Sequence, residues 1–125
     1  MKQSKILVID DSTTNIVLLE AILTEKGYQI ETALNAKEAF SRIEKQIPDL
    51  ILLDLLMPKV SGFDFLEQLR KDETTRKTPV IVISAINTDD ENTKRINNLE
   101  AVDFLRKPID IQYLVNKVEE ILSKK

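Results

Sequence analysis

Leu50-Ile51-Leu52-Leu53-Asp54-Leu55-Leu56-Met57-Pro58 is the stretch on which the fold turns. Its first four residues are apolar without a break, as in a strand buried on both faces, and it ends abruptly on a carboxylate. Two other runs repeat the pattern, Ile6-Leu7-Val8-Ile9 upstream and Val80-Ile81-Val82-Ile83 downstream. Tyr28 to Leu34 alternates instead. Tyr28, Ile30, Thr32 and Leu34 share one side and Gln29 and Glu31 the other, the signature of an edge strand. Phe104-Leu105, closed off by Lys107-Pro108, is a second short edge candidate.

Between these runs the period lengthens. Ile16, Leu19 and Leu23 form one helical stripe, and Ala36, Ala39, Phe40 and Ile43 another. Leu66 with Leu69, and Leu114, Val118, Ile121 and Leu122, make two more. Gly27 suits a left-handed ending to the first helix, Asn35 with Glu38 makes a capping-box pattern for the second, and Asp110 is placed to cap the last. The stretch from Asp89 to Asn98 has Ile96 as its only large apolar residue, which predicts a marginal, mobile helix. Five strands alternating with five helices imply an α/β fold with right-handed crossovers. With the most apolar runs in the middle and the weaker ones at the edges, the parallel sheet takes the order 2-1-3-4-5, a flavodoxin-like doubly wound sandwich whose ligands bind beyond the carboxyl ends of the first and third strands.

The 125 residues are enough for one core, so a single domain spanning 1–125 is expected. Lys and Arg number 18 against 21 Asp and Glu, a net charge of -3 that provides no basic field for direct nucleic-acid binding or for an anionic membrane. No membrane span or signal peptide is read, and a cytoplasmic location is expected. The absence of both Cys and His excludes thiol and imidazole chemistry, leaving carboxylates, hydroxyls and amines.

Those groups gather at the predicted strand ends: Asp10 and Asp11, then Asp54, Ser84 and Lys107. Acidic residues often begin such loops merely as helix caps, Ser84 could cap the polar helix, and Lys107 could be a solvated surface charge. Taken together, the strand order brings three carboxylates to one crevice. Two of them about 4 Å apart would repel by roughly 4 kcal/mol at an effective dielectric of about 20. Three negative charges against the one positive charge of Lys107 leave a surplus of two, which suits a divalent cation, and all-oxygen donors select Mg²⁺ or Mn²⁺ over zinc. A carboxylate beside such a cation, a hydroxyl and an ammonium suits phosphoryl transfer through an aspartyl phosphate.

Val8-Ile9-Asp10-Asp11, Asp54-Leu55-Leu56-Met57-Pro58 followed by Gly62, Ser84-Ala85 and Phe104-Leu105-Arg106-Lys107-Pro108 occur in this order at predicted strand ends. In these four pieces the chain resembles a response regulator receiver domain over its whole length. The resemblance implies that Asp54 is the phosphoacceptor, that Asp10, Asp11 and Asp54 hold Mg²⁺ with the Leu56 backbone carbonyl, and that Ser84 and Lys107 hold the phosphoryl oxygens. Ser84 and Phe104 would be the switch, carrying the change to the surface of the fourth helix, fifth strand and fifth helix. Leu56 and Ile86 would flank the hydrolytic water, and Lys107-Pro108 would carry a cis peptide.

Two positions depart from the commonest pattern. Glu100 stands where many relatives have Gly after the fourth helix, which leaves Asn97 or Asn98 to supply a left-handed residue. Phe104 replaces a frequent Tyr and has no hydroxyl to donate. The implied phosphate donor is the phosphohistidine of a sensor histidine kinase or histidine phosphotransfer protein. The output is a downstream effector protein, and a phosphorylation-dependent dimer is compatible with it. On this reading the chain is a phosphoacceptor that promotes its own phosphorylation and slow dephosphorylation, and not otherwise an enzyme. Two rivals fit less well. A flavodoxin-like binding module wants a phosphate loop rich in Ser, Thr and Gly, where this chain has two carboxylates. An aspartate-nucleophile phosphatase wants a second Asp at the place of Leu56.

Overall fold

A computed structural model describes residues 3–57, 59–85 and 90–123. Pro58, Ile86 and Asp89 lie outside the described residues. The chain alternates β1 (Lys5–Ile9), α1 (Thr13–Glu25), β2 (Gln29–Ala33), α2 (Ala36–Lys45), β3 (Leu50–Leu53), α3 (Gly62–Lys71), β4 (Val80–Ser84), α4 (Asp90–Asn98), β5 (Asp103–Arg106) and α5 (Ile111–Ser123). The five strands form one sheet in the order β2-β1-β3-β4-β5, all neighbours parallel.

The unbroken apolar runs are explained by the two layers of helix they serve. Side chains alternate across a strand. Ile6, Val8, Leu50, Leu52, Ile81 and Ile83 pack with the buried stripes of α1 and α5, while Leu7, Ile9, Ile51, Leu53, Val80 and Val82 pack with α2, α3 and Ile96 of α4. Registers such as Ile9 with Leu53 and Leu53 with Val82 leave the strands ending close together at one edge of the sheet.

The edge strand β2 departs from the expected alternation at one residue. Ile30 faces the α1 side and Ala33 is buried on the α2 side, but Leu34 lies past the strand end and is 37% exposed. The chain has already turned there toward α2. Asn35 Oδ1 accepts from the Glu38 N–H at 2.9 Å, as the capping pattern predicts, whereas the Glu38 carboxylate accepts from the Leu34 N–H at 3.0 Å, one residue before the cap. Asp110 caps α5 through the Tyr113 N–H at 3.1 Å.

Gly27, at φ +98°, ends α1 as expected: the Tyr28 N–H reaches Leu23 O and the Gly27 N–H reaches Thr24 O, the paired bonds of a left-handed helix ending. The same pair closes α4, with Ala101 N–H to Ile96 O and Glu100 N–H to Asn97 O. This register corrects one expectation. Asn97 and Asn98 remain helical, and Glu100 itself takes the left-handed conformation at φ +58°. Arg70 holds that turn, donating from Nε to Leu99 O at 2.7 Å and from Nη2 to Glu100 O at 3.3 Å, while Nη1 binds Thr78 O at 2.9 Å and Arg76 O at 3.1 Å. A guanidinium has enough donors to serve two loops at once.

α4 is present, and Ile96 is its only buried apolar side chain among the described residues. A further tie is Arg95, whose guanidinium carbon stands 4.3 Å from the centre of the Phe63 ring and whose Nη2 lies 3.5 Å from Asp64. Because a left-handed conformation costs a residue with a Cβ roughly 1–2 kcal/mol, Glu100→Gly is expected to raise stability by about 1 kcal/mol. The measurement is the urea unfolding midpoint; a midpoint equal to or below the parent's would show that Arg70 leaves no strain in the turn.

Candidate functional site

The polar strand ends converge because the sheet's hydrogen bonding runs one residue past the strands. Asp10 N–H donates to Ala33 O at 3.1 Å, Asp54 N–H to Ile9 O at 2.9 Å and Lys107 N–H to Ser84 O at 3.0 Å. The Lys107 ammonium then stands 3.0 Å from Asp10 Oδ2 and 3.0 Å from Asp54 Oδ2, bridging the two central strands from the edge. Asp10 and Asp54 are buried, and Asp11 is exposed. One carboxylate oxygen from each of the three lies within 4.8 Å of the others.

Backbone groups fix the orientation of the two buried carboxylates. Asp54 Oδ1 accepts from the Leu56 N–H at 2.9 Å, and Asp10 Oδ1 accepts from the Ser12 N–H at 2.9 Å. Ser12 is also the cap of α1, its Oγ accepting from the Asn15 N–H at 3.3 Å, and the Asn15 side chain donates to Asp10 Oδ2 at 3.3 Å. The loop after Asp54 is held by a close approach: Gly62 N–H donates to Leu55 O at 2.9 Å, and a Cβ on Gly62 would fall 2.4 Å from Leu55 Cα. Only Gly lets α3 begin that near the strand. Ser12 and Asn15 escape the motif reading. Their signal is the helix start itself, a Ser followed three residues later by an amide where a capping box has Glu or Gln.

Burial pushes the Asp54 carboxyl up from its ordinary range, and the charge of Asp10 adds to it, against the hydrogen bonds from Leu56 and Lys107. Lys107 shifts the other way in charge preference. Burial alone would lower its ammonium, but the hydrogen bonds and charges of Asp54 and Asp10 outweigh that and raise it. The two directions agree once charges are counted. The lysine faces two carboxylates, and each carboxylate has only a share of one lysine. Three carboxylates and one ammonium leave two negative charges uncompensated. All of the donors are hard oxygens, so this set fits Mg²⁺ in charge and chemistry.

Ser84 ends β4 with its Oγ fully buried and without a hydrogen-bond partner among the described residues. It follows Val82 by two residues and so points to the same face, and Val82 is paired across the ladder with Phe104, which is half-buried against that side of the core. Leu56 is 53% exposed beside Asp54. Ile86 lies outside the described residues. The Lys107-Pro108 bond is cis, as the resemblance implies. A cleft of about 570 Å³ lies elsewhere, at the C-terminal ends of α2 and α3 between Phe40, Ile47, Leu69 and Thr74. The site is thus marked by its charges and not by its volume.

Because the folded-state pKa of Asp54 lies above the ordinary value, ionised Asp54 opposes folding: the penalty is absent below the unfolded pKa and grows as pH rises through the folded one. In chelator at pH 7, Asp54→Asn is therefore expected to raise the melting midpoint, by roughly 4 °C for each kcal/mol gained, and the gain should vanish toward pH 4. A lower midpoint at pH 7 would mean that the Lys107 pair stabilises more than burial and repulsion oppose.

Comparison with known proteins agrees with this geometry. The family described as the response regulator receiver domain matches residues 6–119. The chain is 42% identical over 120 residues to Response regulator PleD of Caulobacter vibrioides, covering 94% of this chain but only 26% of that protein. It is 33% identical over 122 residues to Protein PilH of Pseudomonas aeruginosa, covering 96% of this chain and 98% of that one. A crystal structure of a response regulator receiver protein from Pseudomonas putida, 31% identical, superposes with a TM-score of 0.88 over 100% of this chain and 99% of the other. Neither a flavodoxin nor an aspartate-nucleophile phosphatase is favoured by these likenesses. The acidic crevice of this chain lies at the strand ends of the fold it shares with these proteins, and the chain belongs to the response regulator receiver domains of two-component signalling.

Proposed function

We propose that residues 1–125 act as one phosphoacceptor module in which Asp54 takes a phosphoryl group from the phosphohistidine of a sensor histidine kinase or a histidine phosphotransfer protein. The observation that carries this is the Lys107 ammonium bridging Asp10 and Asp54 at 3.0 Å each, with the third carboxylate of Asp11 alongside. The chain has no His, so the donor imidazole belongs to the partner. An Asp54 oxygen forms the P–O bond as the P–N bond to that imidazole breaks, and the departing nitrogen keeps the electron pair. Asp10, Asp11, Asp54 and the Leu56 carbonyl would hold Mg²⁺. When bound, it supplies positive charge against the crowded carboxylates and the phosphoryl oxygens.

Lys107 then exchanges one carboxylate contact for a phosphoryl oxygen, and the buried Ser84 hydroxyl supplies a second donor. Among the described residues this buried hydroxyl has no partner, an uncommon condition that supports a ligand-facing role for it. Movement of Ser84 alters the packing of Phe104 on the same face of the sheet and, through it, the surface of α4, β5 and α5. The switched surface meets a downstream effector protein or a second copy of the chain. The net charge of -3 over the whole chain supports a protein partner over nucleic acid, and a cytoplasmic setting suits a donor kinase. Among the described residues no helix is long and apolar enough to cross a membrane.

With acetyl phosphate and Mg²⁺, mass spectrometry should find one added phosphoryl group on the parent and none on Asp54→Asn; equal labelling of the variant would move the acceptor elsewhere. Leu56 and Ile86 can neither orient nor deprotonate a water, so the phosphorylated parent should decay slowly once the donor is removed. Leu56→Asn combined with Ile86→Glu is expected to decay about tenfold faster, a barrier change of only about 1.4 kcal/mol. Decay no faster than the parent's would refute the role given to these two side chains.

A further inference from the structure

The first turn of α1 departs from the ordinary helix start in a way that bears on the acidic crevice. In a capping box the side chain three residues after the cap reaches back to the N–H of the cap residue. Here that N–H belongs to Ser12 and is already taken by Asp10 Oδ1 at 2.9 Å. The side chain at the third position is thereby released from capping, and it is Asn15, an indifferent helix former. Its amide crosses instead to the other oxygen of the same carboxylate, Asp10 Oδ2, at 3.3 Å.

Asp10 is therefore held by three donors of different kinds: the Ser12 backbone, the Asn15 amide and the Lys107 ammonium at 3.0 Å. Their permanence differs. The Ser12 N–H is part of the backbone, whereas Lys107 also serves Asp54 at 3.0 Å and is the group that turns to the phosphoryl oxygens when Asp54 reacts. Asn15 is the one side-chain donor on Asp10 that has no other hydrogen bond among the described residues. Its chemistry is suited to the place, because Glu or Asp there would add a fourth negative charge to the three already crowded together.

We propose that Asn15 is a positioning residue for the cation site: it holds the Asp10 carboxylate in its ligating orientation while Lys107 exchanges partners. The inference rests on the phosphoacceptor reading of the site. It assigns to the first turn of α1 a function in metal affinity separate from its function in capping, since the cap uses the backbone N–H of residue 15 and not its side chain.

The test compares the parent with Asn15→Ala and Asn15→Leu, which keep that N–H and remove the amide, the second retaining most of its volume. The chain has no Trp, so Mg²⁺ binding is followed by amide chemical shifts of ¹⁵N-labelled protein at Asp10, Asp11 and Asp54, and stability by thermal melting in chelator. Both variants are expected to melt within about 4 °C of the parent and to bind Mg²⁺ about tenfold more weakly, the scale on which partners of metal ligands act. Affinity within about threefold of a parent that does bind Mg²⁺ would overturn the role of Asn15 alone. Weaker binding that comes with a midpoint lowered by more than about 8 °C would also overturn it, by showing that the amide supports the fold. A parent with no saturable response to millimolar Mg²⁺ would instead overturn the reading of the site, and this inference with it.

Discussion

Three carboxylates and one ammonium occupy the carboxyl edge of the sheet, and much of the surrounding structure is there to hold them. Left alone, like charges at such spacing would drive the strand ends apart or take up protons. The chain prevents this with fixed donors. The Ser12 and Leu56 N–H groups each bind one oxygen of Asp10 or Asp54, and Lys107 is drawn in from the edge strand's end to bridge the other two. The balance stays incomplete by two negative charges, a surplus that suits a divalent cation.

The rest of the fold supplies the rigidity this arrangement needs. Asp54 follows the strand at the centre of the sheet, where every residue of β3 is buried and its two neighbours are paired in register. Behind it, the contact of Gly62 with the Leu55 backbone sets where α3 begins and therefore how the Leu56 N–H is aimed. Rigidity is not uniform. α4 is joined to the body by Ile96, by Arg95 on the Phe63 ring and by the Arg70 clamp on its last turn, with an otherwise polar surface. A helix with so few apolar ties is held less firmly than the strands around the site.

The relatives give this division of labour a context. The chain spans about a quarter of PleD and nearly the whole of PilH, so the same module occurs both as a part and as nearly all of a protein. Carboxylates, Ser84 and Lys107 stand at the strand ends. Away from those ends, this chain carries Phe104 on β5 and a Tyr113 hydroxyl bound to Asp103 at 2.6 Å.

The local features were legible in the sequence because each is written in a few neighbouring residues. Unbroken apolar runs marked strands covered on both faces, and their ranking by apolarity placed β1, β3 and β4 inside, from which the convergence of Asp10, Asp54, Ser84 and Lys107 followed. Gly27 announced the end of α1, and Asp110 the start of α5. What only the tertiary structure decided are the contacts between segments far apart in the chain, or the choice between equally plausible neighbours. Periodicity could not say that β2 stops before Leu34, because the turn into α2 sets that limit. Nor could it say that Glu100, and not Asn97 or Asn98, is left-handed, because the helix register and the reach of Arg70 from α3 select it. The link from Asn15 to Asp10 depends on where α1 sits against the end of β1. Local sequence carries local geometry; the aim of a side chain across a gap depends on packing that no short stretch contains.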